Sequence, residues 1–186
     1  MSTQEPVRPG RKRSEESRQA ILRAAFEIVA EQGYSVLTVE RIAARSGVGK
    51  QTIYRWWPGK ADVLLEALAL KAELHIPAPD LGDLASDLRA FLAATFKLAR
   101  NRQIVAVLRS LMAEAQIDEG FGQRFRESFL HSRREALREV LDRSGGHRAS
   151  TEVMVDVVFG ILWYRLLADH RPLDDDLVDE LVTMLT

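Results

Sequence analysis

Residues 38–60, from Thr38 to Lys60, read TVERIAARSGVGKQTIYRWWPGK, and the rest of the chain is arranged around them. Thr38 is a hydroxyl residue of the kind that caps a helix N-terminus, and Val39, Ile42 and Ala43 follow at helical spacing. Ser46-Gly47 stops that helix, because glycine enters the left-handed conformation that a sharp C-terminal turn requires. A second helix starts near Gly49 and carries Lys50, Gln51, Thr52, Ile53, Tyr54, Arg55, Trp56 and Trp57. Pro58-Gly59 closes it, since the residue before proline is driven out of helical geometry.

Helix, tight glycine turn, helix is an arrangement in which the second helix enters the DNA major groove. The first turn of that helix is Lys50-Gln51-Thr52, a cation, an amide and a hydroxyl with no apolar anchor. Burial would waste those groups, whereas a groove uses them. Glutamine pairs bidentately with adenine, lysine reaches guanine acceptors, and a threonine methyl meets a thymine methyl. Tyr54, Arg55 and Trp56 add an O–H, a guanidinium and an indole N–H for the flanking phosphates. Ile53 and Trp57 lie four residues apart on one face and anchor the helix to its core.

The spacing Thr38-x-x-x-Ile42-Ala43-x-x-x-Gly47-Val48-x-x-x-Thr52-Ile53-Tyr54-x-x-Trp57-x-x-Lys60 resembles the N-terminal signature of the TetR family of bacterial transcriptional regulators. The resemblance spans roughly residues 14–74. It implies DNA contacts from Thr38, Lys50, Gln51, Thr52, Tyr54, Arg55, Trp56 and Lys60, with Lys60 on a phosphate. Two positions depart from the commonest form of that signature. Gly49 stands where a Ser or Thr cap is usual, and Trp57 stands where Phe is usual and asks for a larger socket.

A chain of 186 residues suits one or two small domains with an ample core. No apolar run approaches the ~20 residues of a membrane span, and the N-terminus lacks the apolar centre of a signal peptide, so the expected location is the cytoplasm. With no cysteine, disulfides, thiolate metal sites and cysteine nucleophiles are excluded. The net charge of −1 conceals an asymmetry. Residues 1–60 hold 11 Lys and Arg against 6 Asp and Glu, while residues 61–186 hold 15 against 21. A basic head on an acidic body fits a localised polyanion-binding surface.

The expected fold class is all-α in three parts. Residues 1–13, with Pro6, Pro9 and Arg11-Lys12-Arg13, read as a disordered basic arm that either adds DNA contacts or only aids solubility. Residues 14–74 form the helix-turn-helix head. Its first helix starts near Ser14, carries the stripe Ile21, Leu22, Ala25, Phe26, Ile28 and Val29, and ends at Gly33. A linking helix runs from Lys60 to about His75, and Pro77 and Pro79 mark a boundary. Residues 81–186 form a body of five helices, at about 82–100, 102–115, 119–143, 150–168 and 174–185, with a flexible Ser144-Gly145-Gly146-His147 turn.

The fourth body helix is apolar nearly all round, which implies burial on every side. One face then meets its own core and another meets a second subunit. The family resemblance points the same way, because its last two long helices form a four-helix interface with the twofold mate. The residues expected there are Met154, Val158, Leu162, Leu166, Leu177 and Leu181, with Gly160 permitting close approach.

The sequence shows no catalytic constellation and calls for no metal or cofactor. The four histidines, His75, His131, His147 and His170, fall on different elements, and Asp174-Asp175-Asp176 reads as the acidic start of a helix. The resemblance further implies a small-molecule effector within the body. Expected lining residues are Phe91, Phe96, Leu108, Met112, Phe125, Phe129 and Trp163, which suit an apolar or aromatic compound, with Arg109 or Arg165 available to an anion. The implied protein is a homodimeric regulator, a repressor on a palindromic operator that its effector releases. The alternative is a DNA-binding dimer without an effector, whose body serves protein contacts. An enzyme built on the same helical body is disfavoured by the missing catalytic groups.

Overall fold

The computed structural model describes residues 9–73, 78–143 and 149–186. Among them every regular element is helical, and none is long and apolar enough to cross a membrane. The chain divides into two compact units, Met1–Ala67 and Leu68–Thr186.

The head opens with α1, Pro9–Gln32. Helical backbone begins five residues before the expected Ser14, so residues 9–13 of the anticipated arm are helix. Proline suits a first helical turn because its missing N–H would have no partner there. Residues 1–8 of the arm lie outside the described residues. Ile21, Leu22, Ala25, Phe26, Ile28 and Val29 are buried as the stripe predicts. Gly33, at φ 86°, ends the helix, and a 3-10 turn at Tyr34–Val36 delivers Leu37 to the core.

Helix α2, Val39–Ser46, is capped by Thr38, whose Oγ1 accepts the Arg41 N–H, and stops at Gly47 in the left-handed region at φ 71°. Helix α3, Lys50–Trp56, starts at Gly49, which offers no side-chain cap, and ends at Trp57. Trp57 is already extended at φ −132° and ψ 135°, the geometry that Pro58 imposes. Helix α4 runs Lys60–Glu73, so the expected end at His75 lies outside the described residues. Helices α1 and α2 pack together, as do α2 and α3, over a core that includes Ile42 and Ile53.

In the body each expected helix exists, and a polar side chain starts each one. Asp83 caps α5 (Leu84–Ala99), Asn101 caps α6 (Arg102–Ile117), and Asp118 caps α7 (Glu119–Phe125). Ser150 caps α9 (Thr151–Ala168), and Asp174 caps α10 (Asp175–Leu185). Each cap oxygen takes an N–H that the helix itself cannot satisfy. Between α7 and α8 (His131–Asp142) the chain stays helical through a π-turn at Arg126–Leu130, which subdivides the third expected helix. The Ser144–His147 turn lies outside the described residues.

Helix α5 packs against α6, α8 and α10, and α9 packs against α6 and α8. Where α7 crosses α6, a Cβ on Gly122 would stand 2.5 Å from the Ala115 carbonyl oxygen, so only glycine fits without a shift. Phe121, Phe125 and Phe129 stack at i, i+4 spacing, with ring centroids 6.1 and 5.6 Å apart, and carry the core into the π-turn.

Candidate nucleic-acid interface and effector cavity

Helix α3 has one buried side and one open side. Ile53 and Trp57 are buried, while Lys50, Gln51, Tyr54 and Arg55 are exposed and Thr52 and Trp56 half-buried. Gln51 makes no hydrogen bond among the described residues, so its amide is available to a base edge. Lys50 Nζ lies 3.2 Å from a Glu40 oxygen on α2. The Glu40 carboxyl sits below its usual range, first through its own backbone N–H and then through Lys50. Arg55 lies over the Trp56 ring at 5.5 Å, and Trp56 meets Trp57 edge-on at 5.4 Å. Thr38 is exposed at the N-terminus of α2. Lys60 opens α4 with its Nζ 4.5 Å from the centroid of the Tyr34 ring, a cation–π contact that leaves the ammonium half-buried.

Two clamps set the pose of this surface. Arg45 on α2 reaches Glu27 at 3.0 Å and Glu31 at 2.7 Å on α1, and the Glu31 carboxyl is held below its ordinary range by that hydrogen bond. The Trp57 indole N–H donates to Glu66 on α4 at 2.9 Å, and the other Glu66 oxygen takes Arg18 on α1 at 2.6 Å. Trp57 is therefore more than a larger plug than Phe: it supplies a donor that Phe lacks. Spacing gave no sign of this, since the three partners lie on separate elements.

The sequence matches the family described as "Bacterial regulatory proteins, tetR family" over residues 21–67, and "Tetracyclin repressor-like, C-terminal domain" over residues 78–185. The chain belongs to the TetR family. It is 32% identical over 178 residues to the HTH-type transcriptional regulator YdeS of Bacillus subtilis (strain 168), covering 93% of this chain and 89% of that one. It is also 32% identical to the TetR family transcription regulator SCO0332, whose crystal structure superposes with a TM-score of 0.77 over 90% of this chain and 95% of that one. The FadR regulator of Bacillus subtilis, solved in complex with stearoyl-CoA, shares the fold at 21% identity and a TM-score of 0.70, over 89% and 96% of the two chains. The TetR assignment makes this chain a DNA-binding transcriptional regulator rather than an enzyme.

The body holds an apolar slot between α5, α6, the π-turn, α8 and α9, with a free volume near 40 Å³. Of the seven expected lining residues it gathers Leu108, Phe129 and Trp163. Phe91, Phe96 and Phe125 are instead fully buried core, and Met112 lies off the slot in contact with Gln116. Two polar residues line the slot that sequence reading missed, Thr95 and Arg133. The Thr95 hydroxyl is buried and has no hydrogen-bond partner among the described residues.

All six expected interface residues, Met154, Val158, Leu162, Leu166, Leu177 and Leu181, lie in the core of their own protomer. The opposite side of α9 carries a second apolar stripe, with Val153, Tyr164 and Leu167 exposed, Val157 and Ile161 half-buried, and Gly160 open. Asp174 is a helix cap, its carboxylate accepting the Leu177 N–H at 3.1 Å.

Proposed function

We propose that this TetR-family chain is a cytoplasmic homodimeric repressor that binds a palindromic operator and leaves it when a small effector enters the body. The observation that carries the DNA half of this reading is the open side of α3. Gln51 faces outward with no hydrogen-bond partner among the described residues, Lys50, Tyr54 and Arg55 flank it, and Ile53 and Trp57 hold the helix from behind. Lys50, Gln51 and Thr52 read bases, while Thr38, Tyr54, Arg55, Trp56 and Lys60 fix the helix on the phosphates.

Two-subunit binding suits the second face of α9. Val153, Val157, Ile161, Tyr164 and Leu167 recur at helical spacing on the side away from the protomer core, and a twofold mate would bury them. Gly160 sits mid-stripe with open space around it, which lets two helices approach closely. A palindromic operator presents its half-sites about 34–36 Å apart, one turn of DNA, and a dimer carries one recognition helix for each. Thr95 supports the effector half: an orphaned buried hydroxyl costs about 1–3 kcal/mol, which a ligand atom would recover.

The test is selection of bound sequences from a random DNA pool, with the mass of the recovered complex measured. An inverted repeat carrying two chains is expected. A single chain on an asymmetric site would overturn the dimeric reading.

A further inference from the structure

A second concavity of the body, larger than the apolar slot, lies beside it. It is a basin of about 540 Å³ where α5 ends, α6 begins and α9 hands over to α10. Five arginines line it, Arg100, Arg102, Arg109, Arg165 and Arg171, against one acid, Asp169. Three of them are held in place. Arg100 pairs with Asp175 at 2.9 Å. Arg109 donates to the Leu166 carbonyl at 2.7 Å and lies 3.4 Å from Asp169. Arg165 donates to the Pro172 carbonyl at 2.6 Å. Arg102 and Arg171 are exposed and make no ion pair or hydrogen bond among the described residues. Asp175 and Asp169 offset Arg100 and Arg109, and the remaining guanidinium groups of Arg102, Arg165 and Arg171 raise each other's electrostatic energy around one concavity, which an anion relieves.

The basin adjoins the slot. Ala99 lines both, and Leu162 of the slot is one turn of α9 from Leu166 of the basin. We propose that the two form one effector site for an amphipathic small molecule. A multiply charged phosphate-type head group seats in the arginine basin, and the apolar part points into the slot beside the Thr95 hydroxyl. This inference rests on the effector reading above and names the chemistry of the effector.

Charge and size select the head group. A monocarboxylate has two oxygens and occupies one guanidinium fork, whereas a phosphate or pyrophosphate group engages several at once. The basin volume falls in the ~300–1,000 Å³ range of small-molecule sites. The slot, near 40 Å³, is small beside the basin, so it takes only the first carbons of the apolar part and the head group supplies most of the attraction.

Titration calorimetry on the full chain tests this with inorganic pyrophosphate, octyl phosphate, octanoate and octanol. Pyrophosphate and octyl phosphate should both bind, and both should weaken as salt rises. The double variant Arg102→Gln, Arg171→Gln removes two exposed side chains without internal partners and should weaken both at least tenfold. Asp169→Asn, which keeps a residue at home in the left-handed region at φ 53°, should strengthen both. The proposal is overturned if neither phosphate probe binds, or if the double variant binds both as well as wild type does. It also fails if octanoate matches octyl phosphate. Binding of octanol or octanoate alone would keep the apolar effector reading and remove only the phosphate head group.

Discussion

The Trp57 indole N–H donates to Glu66 at 2.9 Å, and the same carboxylate holds Arg18 at 2.6 Å, so one acid ties the end of the recognition helix to α1 and α4. The Arg18 and Glu66 side chains are 38% and 28% exposed, which leaves part of their charge to solvent, whereas Trp57 is buried. Trp57→Phe keeps the aromatic packing and removes the donor. It should cost about 1–2 kcal/mol and lower the thermal midpoint by roughly 2–8 °C. Glu66→Gln retains an acceptor for the indole and should cost less. Thermal unfolding followed by circular dichroism compares the two, and an unchanged midpoint in Trp57→Phe would mean that the hydrogen bond contributes nothing.

Gly122 gives a cleaner packing test. An added methyl would lie 2.5 Å from the Ala115 carbonyl oxygen, which is backbone and has little freedom to retreat. Gly122→Ala gains helix propensity of about 1 kcal/mol yet should still destabilise the body, since overpacking costs about 1–3 kcal/mol. Urea denaturation showing a stabilised variant would mean that α6 and α7 separate at no cost.

The head was legible because its signals are local. Thr38, Gly47 and Pro58 each act on the backbone within four residues, and each does what its chemistry requires. The starts of the body helices were readable for the same reason, through Asp83, Asn101, Asp118, Ser150 and Asp174. Helix α9 was not readable in this way. A helix apolar all round has no periodicity to say which side turns inward, and only its packing on α6 and α8 places Met154 and Val158 inside and Tyr164 outside. The slot and the basin were legible only in part, Leu108, Phe129 and Trp163 in the one and Arg109 and Arg165 in the other. Thr95 and Arg133, or Arg102 and Arg171, are far apart in sequence, and tertiary structure alone brings them together.

Acid stability should depend on Glu152. It accepts from Arg138 at 2.9 Å and from Arg134 at 3.2 Å, and the Arg138 hydrogen bond is the main cause that pushes its carboxyl down to about 2. A carboxyl depressed in the folded state contributes stability that is complete above its unfolded value near 4.5 and is lost as pH falls through about 2. Glu152→Gln should therefore flatten the fall in stability between pH 4.5 and 2 and leave a lower plateau near neutrality. Unchanged acid denaturation in the variant would show that the pair is fully screened by solvent.

The two faces of α9 predict opposite phenotypes. Tyr164→Glu places a charge on the exposed stripe, where the protomer tolerates it and a twofold mate does not. Sedimentation should show folded monomers whose operator affinity is down by at least tenfold. Val158→Glu buries an unpaired charge in the protomer core and should cost several kcal/mol of folding stability. A folded monomer from Val158→Glu, with an intact dimer from Tyr164→Glu, would return the interface to the side first expected.

Base reading and phosphate anchoring separate in the last pair of variants. Gln51 is exposed on the open side of α3 with no hydrogen-bond partner among the described residues, so Gln51→Ala should lose about 1–3 kcal/mol on the preferred operator and relax selectivity at one base position per half-site. Lys60 is held by the Tyr34 ring at the start of α4, away from the groove-reading turn. Lys60→Ala should weaken binding equally on every sequence and reduce the slope of log affinity against log salt by about one per protomer. Fluorescence anisotropy on the selected operator and a scrambled duplex, across a salt series, measures both. If Lys60→Ala altered sequence preference, or Gln51→Ala weakened both duplexes alike, the two roles would have to be exchanged.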